Sequence, residues 1–122
     1  MAYRKYNNKR VEYDGRVFDS LKEYRRYRDL KLMQRSGLIS DLHLQVPFEL
    51  VPAVYDEVEV QLKTKVKMEK KCVQRSIRYI ADFVYMKDGK MIVEDTKGFR
   101  TKEYELKKKM MRALLGVEIK EI

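Results

Sequence analysis

Histidine and cysteine are scarce in this sequence. Its 122 residues include one cysteine, Cys72, and one histidine, His43. A single cysteine cannot form an intramolecular disulfide. The same scarcity argues against a His/Cys metal cluster and against a histidine-based catalytic triad, so we expect His43 to be an ordinary strand residue. The glycines form no phosphate-binding loop motif.

Long apolar runs are also missing. No stretch approaches the roughly 18 apolar residues of a membrane-spanning helix. The N-terminal sequence MAYRKYNNKR contains no apolar segment like that of a signal peptide. We therefore predict a cytoplasmic protein without a membrane partner. Because 44% of the 122 residues are hydrophobic, the chain can form one modest core, and we expect a single domain over residues 1–122.

Acidic residues are fewer than basic residues in this sequence. Lys and Arg number 28 against 19 Asp and Glu, which gives a net charge of +9. Basic residues are absent from Ser36 to Leu62 and are concentrated in clusters that begin at Arg4, Lys22, Lys63 and Lys97. Basic clusters are often no more than solvated surface, but several of them around one small domain favour a polyanionic partner, with nucleic acid as the leading candidate.

Hydrophobic periodicity and turn residues predict an α+β chain with a central sheet covered by helices. Asp14-Gly15 and Asp88-Gly89 are turn dipeptides, Asp19 or Ser20 can cap the first helix, and Thr101 can cap the second. The predicted elements are an N-terminal hairpin over residues 11–18, a helix over 21–35, strands over 43–50, 58–68, 74–85 and 91–97, a helix over 101–115, and a short strand over 117–122.

Acidic residues stand where core strands usually carry apolar ones. Side chains alternate along a strand, so Asp82 and Asp95 could lie side by side on adjacent strands, with Lys97 on the same face as Asp95. Glu23 falls on the apolar stripe of the first helix. Close carboxylates repel each other unless a proton or a cation lies between them, and a hard divalent cation binds carboxylate oxygens.

Each of these acids also has an ordinary structural interpretation. Asp82 could pair with Arg78 or Arg75, Asp95 could pair with Lys97, and Glu23 could pair with a neighbouring arginine. A single acid of this kind is more often structural than catalytic. The three together form a more specific pattern.

Asp82 on one strand, Asp95-Thr96-Lys97 on the next and Glu23 on the preceding helix resemble the signature of the PD-(D/E)XK nuclease superfamily. The segments FDSLKEYRRYRDLKLMQRSGLISDLHLQVPFEL and RSIRYIADFVYMKDGKMIVEDTKG resemble a phage-encoded family within it, which is similar to small Holliday-junction resolvases. Ala81 stands where the superfamily's name has proline. The resemblance implies a restriction-endonuclease-like αβββαβ core and DNA phosphodiester hydrolysis that depends on Mg²⁺ or Mn²⁺.

The resemblance also implies roles for individual residues. Asp82, Asp95 and the Thr96 carbonyl would hold the metal, and Glu23 would complete the site directly or through water. Lys97 would orient the attacking water or stabilise charge on the phosphate. We expect a homodimer, because symmetric junctions need two coordinated cuts. A non-catalytic DNA-binding protein on a nuclease fold is the alternative. The basic residues that we expect to contact DNA are Arg25, Arg26, Lys63, Lys65, Lys67, Arg100 and Lys102.

Overall fold

The computed structural model describes residues 10–97 and 99–122, so the basic cluster that begins at Arg4 lies mostly outside the described residues. The elements are β1 (Val11–Tyr13), β2 (Arg16–Phe18), α1 (Leu21–Arg35), β3 (Ser40–Val51), β4 (Val54–Gln61), β5 (Val66–Gln74), β6 (Ile77–Lys87), β7 (Lys90–Asp95), α2 (Lys102–Leu115) and β8 (Ile119–Glu121).

Four strands form the central sheet, in the order β3-β6-β7-β8. β6 is antiparallel to both of its neighbours, β3 and β7, whereas β8 joins β7 in parallel, so the sheet is mixed. β1 pairs with β2, and β4 pairs with β5, each in a separate two-stranded sheet. The predicted α+β class, the central sheet with two helices and the N-terminal hairpin are therefore confirmed.

One predicted strand, over residues 58–68, is wrong. The chain turns within it, where the Leu62 N–H donates to the Lys65 carbonyl at 2.9 Å, and the two halves belong to β4 and β5. Alternation of apolar and polar residues continues through the turn, so the period alone did not reveal it. Lys63 and Lys65 therefore lie in the turn and Lys67 lies on β5, so the three lysines do not belong to one strand.

Both helices begin and end where local signals place them. The Ser20 hydroxyl accepts from the Glu23 N–H at 3.1 Å, and the Thr101 hydroxyl accepts from the Tyr104 N–H at 3.0 Å. Each bond satisfies a backbone donor that has no partner inside its helix. Gly116 ends α2 in the left-handed region, at φ 67°, which glycine adopts without strain.

The core consists of two apolar clusters, and the central sheet contributes to both. The first contains Tyr27 and Leu30 of α1 with Phe83 and Tyr85 of β6. The second contains Tyr104 and Met111 of α2 with sheet residues that include Tyr79, Ala81 and Val93. Each helix thus buries its own side chains against the sheet. Neither helix of the described residues is long and apolar enough to cross a membrane.

Candidate active site

Asp82 and Asp95 lie on adjacent strands at the same end of their ladder. The register pairs Phe83 of β6 with Glu94 of β7, and one further step brings Asp82 beside Asp95. The Thr96 backbone N–H and hydroxyl both donate to Oδ2 of Asp82, at 2.9 and 2.8 Å. The residues after β7 therefore fix the orientation of the Asp82 carboxylate.

Asp95 is a fully buried acid, and one of its carboxylate oxygens lacks a hydrogen-bond partner in the described part of the chain. Its Oδ2 accepts from the Tyr79 hydroxyl, whereas its Oδ1 has no hydrogen-bond partner among the described residues. Burial raises the pKa of Asp95 to about 6, and the negative charge of Asp82 adds to the rise, although the Tyr79 hydrogen bond and Lys97 oppose it. An unpartnered buried carboxylate oxygen is costly unless it receives a proton or a cation.

Glu23 faces the sheet from the first turn of α1, as its position on the apolar stripe predicts. Its side chain is buried together with those of Tyr27 and Leu30. Burial raises the pKa of Glu23 to about 7, with a further contribution from the negative charge of Asp82. Glu23, Asp82 and Asp95 thus form a cluster in which negative charge is under-compensated.

The structural interpretations of these acids find no support. Among the residues described, neither Glu23, Asp82 nor Asp95 has a basic nitrogen within 4.0 Å in an ion pair. Lys97 is exposed, and its Nζ lies 5.6 Å from the centre of the Tyr104 ring. Lys97 is near enough to lower the pKa of Asp95, but it does not neutralise that acid.

Gln45 belongs to the site, and sequence reasoning missed it. It lies on β3, and its Nε2 donates to Glu23 Oε1 at 3.1 Å and to Asp82 Oδ1 at 3.4 Å. It also lines an open groove of about 820 Å³ together with Arg16 and His43. In the sequence Gln45 is one polar residue of a strand, and no local signal separates it from the others.

The site offers carboxylate oxygens to a metal ion, although its described side chains are not arranged as a complete ligand set. In the described parts of the chain, no group of three or more His, Cys, Asp and Glu side chains is arranged to hold a metal ion. The oxygens of Asp82 and the unpartnered Oδ1 of Asp95 nevertheless suit a hard cation such as Mg²⁺ or Mn²⁺. Burial, with the negative charge of Asp82 added to it, raises the pKa values of Asp95 and Glu23. The residues present therefore fit such an ion.

Glu94 is a second fully buried acid, and its partner is Arg26 of α1. Arg26 Nε and Nη2 donate to Oε1 and Oε2 of Glu94, both at 2.7 Å, and the Tyr85 hydroxyl also donates to Oε2. Only 19% of the Arg26 side chain is exposed. Arg26 was expected to contact DNA; because its guanidinium is occupied by Glu94, we correct its role to that of a core ion pair.

The other expected DNA contacts are at the surface. Arg25, Lys63, Lys65 and Lys102 are exposed. Lys67 is exposed and lies 3.7 Å from Glu69. Arg100 is 55% exposed, yet it forms ion pairs with Glu105 and Glu121. A phosphate would therefore compete with two carboxylates for Arg100, and would face less competition at the lysines of the β4–β5 turn.

Comparison with protein-family models identifies a family for this chain. A family model described as "Protein of unknown function (DUF1064)" matches residues 3–119, which is nearly the whole chain. No curated protein and no solved structure matches the sequence.

Proposed function

The chain belongs to the DUF1064 family, whose function is unknown, and we propose that it is a metal-dependent DNA endonuclease acting on branched DNA. The observation that carries this proposal is the buried Asp95 carboxylate, whose Oδ1 is unpartnered beside Asp82 and near Glu23. Perturbed carboxylates that share one site are typical of catalytic and metal-binding positions.

The order of elements supports the same proposal. Leaving aside the N-terminal hairpin, α1 is followed by β3, β6 and β7 of the central sheet and then by α2 and β8. This is the αβββαβ order that the resemblance to PD-(D/E)XK nucleases implies. The hairpin β4–β5 is inserted between β3 and β6.

Each side chain has a task that suits its chemistry. Mg²⁺ or Mn²⁺, when bound, would polarise a phosphoryl oxygen and lower the pKa of a water molecule. Asp82 and Asp95 would hold the ion, Asp82 being oriented by Thr96. Glu23 would hold a water of the site, and the exposed ammonium of Lys97 would stabilise charge on the phosphate.

The net charge of +9 supports DNA as the substrate, because phosphate contacts dominate affinity for nucleic acid. Exposed lysines at the tip of the β4–β5 hairpin could follow a DNA backbone. Cutting both strands of a symmetric junction needs two active sites, so we propose that the enzyme acts as a homodimer.

The test is cleavage of labelled four-way-junction, nicked and linear duplex DNA, with Mg²⁺ or with EDTA. We expect the wild type to cut junction DNA only with Mg²⁺. Asp82→Asn and Asp95→Asn should abolish cutting and leave DNA binding unchanged or tighter, because each removes a charge that repels phosphate. Asp88→Asn is the matched control, since Asp88 is an exposed turn residue at φ 51°, a conformation that asparagine also tolerates.

Two outcomes would count against the assignment. Equal loss of binding and cutting in the Asp82 and Asp95 variants would mean that these acids support the fold rather than the chemistry. Tight binding of every DNA without cutting by the wild type would favour the alternative, a non-catalytic DNA-binding protein.

A further inference from the structure

Gln45 connects two acids that come from different elements. Gln45 lies in the β3–β6 ladder between the pairs Leu44–Phe83 and Val46–Ala81, which places it opposite Asp82. From there its amide reaches Glu23 of α1 at 3.1 Å as well as Asp82 at 3.4 Å. The amide presents its nitrogen, which is the donor, to both acids, as suits ionised carboxylate oxygens, which only accept hydrogen bonds.

The backbone at Gln45 is unusual for this residue type. Its φ is 52°, in the left-handed region that glycine adopts freely and that strains most other residues. The side chain is exposed, so packing in the core does not explain why a long side chain stands there. Non-glycine residues with such backbones are concentrated at functional sites.

An amide between two carboxylates takes the place that a cation would otherwise take. A primary amide offers two N–H donors, one for each acid, and carries no charge. Two-metal sites need carboxylates that bridge or surround both ions, whereas here Glu23 Oε1 and Asp82 Oδ1 both accept a hydrogen bond from Gln45. Among the described residues, the fully buried carboxylate oxygen of the cluster that lacks a hydrogen-bond partner is Asp95 Oδ1.

We propose that Gln45 is a positioning residue that limits this site to one divalent cation: its amide fills the space between Glu23 and Asp82 and leaves Asp82 and Asp95 to bind a single ion. This inference rests on the proposed metal-dependent function, but it concerns the number of ions and the residue that sets it. The isosteric change Gln45→Glu removes the donor and adds a ligand, so it should open a second position.

The experiment is a Mn²⁺ titration followed by electron paramagnetic resonance of free Mn²⁺. We expect one Mn²⁺ per wild-type chain and two per Gln45→Glu chain, the second binding at least about tenfold more tightly than any second ion on the wild type. Gln45→Gly, which suits the backbone, should admit a second ion weakly. His43→Ala, an exposed neighbour on the same strand, is the control and should bind one.

Thermal melting in EDTA checks that the variants fold. It also measures how the side chain at position 45 affects stability when no metal is bound. Gln45→Glu should melt below Gln45→Gly without metal, because it adds a fourth carboxylate to the cluster, and Mn²⁺ should reverse that order.

Two Mn²⁺ ions on a wild type that cuts DNA would overturn the role of Gln45 and leave the nuclease function standing. Unchanged stoichiometry in Gln45→Glu would overturn it as well. A wild type that binds no Mn²⁺ would overturn both the inference and the proposed function.

Discussion

Arg26 and Glu94 join α1 to β7 through two parallel hydrogen bonds of 2.7 Å each. The pair raises the pKa of Arg26 through its hydrogen bond to Glu94, and Glu94 is fully buried. Glu23 lies about one helical turn before Arg26, and Asp95 directly follows Glu94. The ion pair therefore fixes the helix that carries one site acid to the strand that carries another.

Removing one partner of this pair should destabilise the fold. We expect Glu94→Gln and Arg26→Ala to lower the free energy of unfolding by about 3 kcal/mol, because each leaves a buried polar or charged group without its partner. Arg25→Ala, at the exposed neighbouring position, should change it by less than about 0.5 kcal/mol. Urea denaturation of the three variants measures this. If Arg26→Ala and Arg25→Ala changed the free energy of unfolding by the same amount, the ion pair would not be important for stability.

Divalent metal should stabilise the folded protein through the site acids. At a Mg²⁺ concentration about 100-fold above its dissociation constant, linkage contributes about 2.7 kcal/mol, which raises the melting temperature by several degrees. Asp95→Asn should lose this rise, because it removes the buried carboxylate whose Oδ1 is unpartnered. Asp88→Asn should keep it. A melting temperature that stays flat over millimolar Mg²⁺ in the wild type would argue for purely structural acids.

Without metal, stability should fall as pH rises through neutrality. The folded-state pKa of Glu23 is raised from 4.5 to about 7, so the folded protein holds a proton that the unfolded chain releases. The stabilisation is complete below about pH 4.5 and is lost by about pH 7.5, with a magnitude on the order of 3 kcal/mol.

The measurement is urea denaturation in EDTA across this pH range. Glu23→Gln cannot ionise, so its free energy of unfolding should vary less between pH 4.5 and 7.5 than that of the wild type. Parallel curves for the two proteins would show that Glu23 ionises normally. The raised pKa of Asp95, to about 6, should leave a smaller slope of the same sign in the variant.

The lysines of the β4–β5 tip should contribute part of the affinity for DNA. Each lost phosphate contact reduces the slope of log affinity against log salt by about 0.9 on duplex DNA. When Lys63, Lys65 and Lys67 are all changed to Gln, we expect the slope to fall by the equivalent of about one to two lost phosphate contacts. The loss is smaller than three contacts because Lys67 lies 3.7 Å from Glu69, which partly compensates its charge.

A variant with the same loss of charge elsewhere provides the comparison. Lys87, Lys90 and Lys120 are exposed, and Lys87 pairs with Lys90 at the end of the β6–β7 ladder away from Asp82 and Asp95. Their change to Gln should alter the salt slope less than the tip variant does. Equal slopes for the two triple variants would leave the tip as solvated surface and move the DNA path to Arg25 and Lys102.

The parts of the fold that local chemistry determines could be predicted from the sequence. Ser20, Thr101 and Gly116 act on backbone groups within a few residues, and both helices have the predicted ends. The turn at Lys63-Thr64 could not be predicted in this way, because it has no glycine, proline, asparagine or aspartate to mark it and the alternation runs through it.

The same distinction applies to the site. Strand alternation and the helical stripe brought Glu23 and the two aspartates into one cluster. The partners of these residues depend on which side chains meet across the fold: Gln45 is 22 residues from Glu23, and Arg26 is 68 residues from Glu94. No local pattern contains that information, so Gln45 was missed and Arg26 was assigned to the surface.

The β4–β5 hairpin forms a sheet of its own, and within the described chain it shares no ladder with the central four strands. Every residue of β5 is exposed. A two-stranded ribbon of this kind can open locally while the core stays folded, so its amide hydrogens should exchange with deuterium far sooner than those of β6. A molecule that binds to the ribbon would slow that exchange. Protection of the hairpin amides would therefore reveal a ligand bound there.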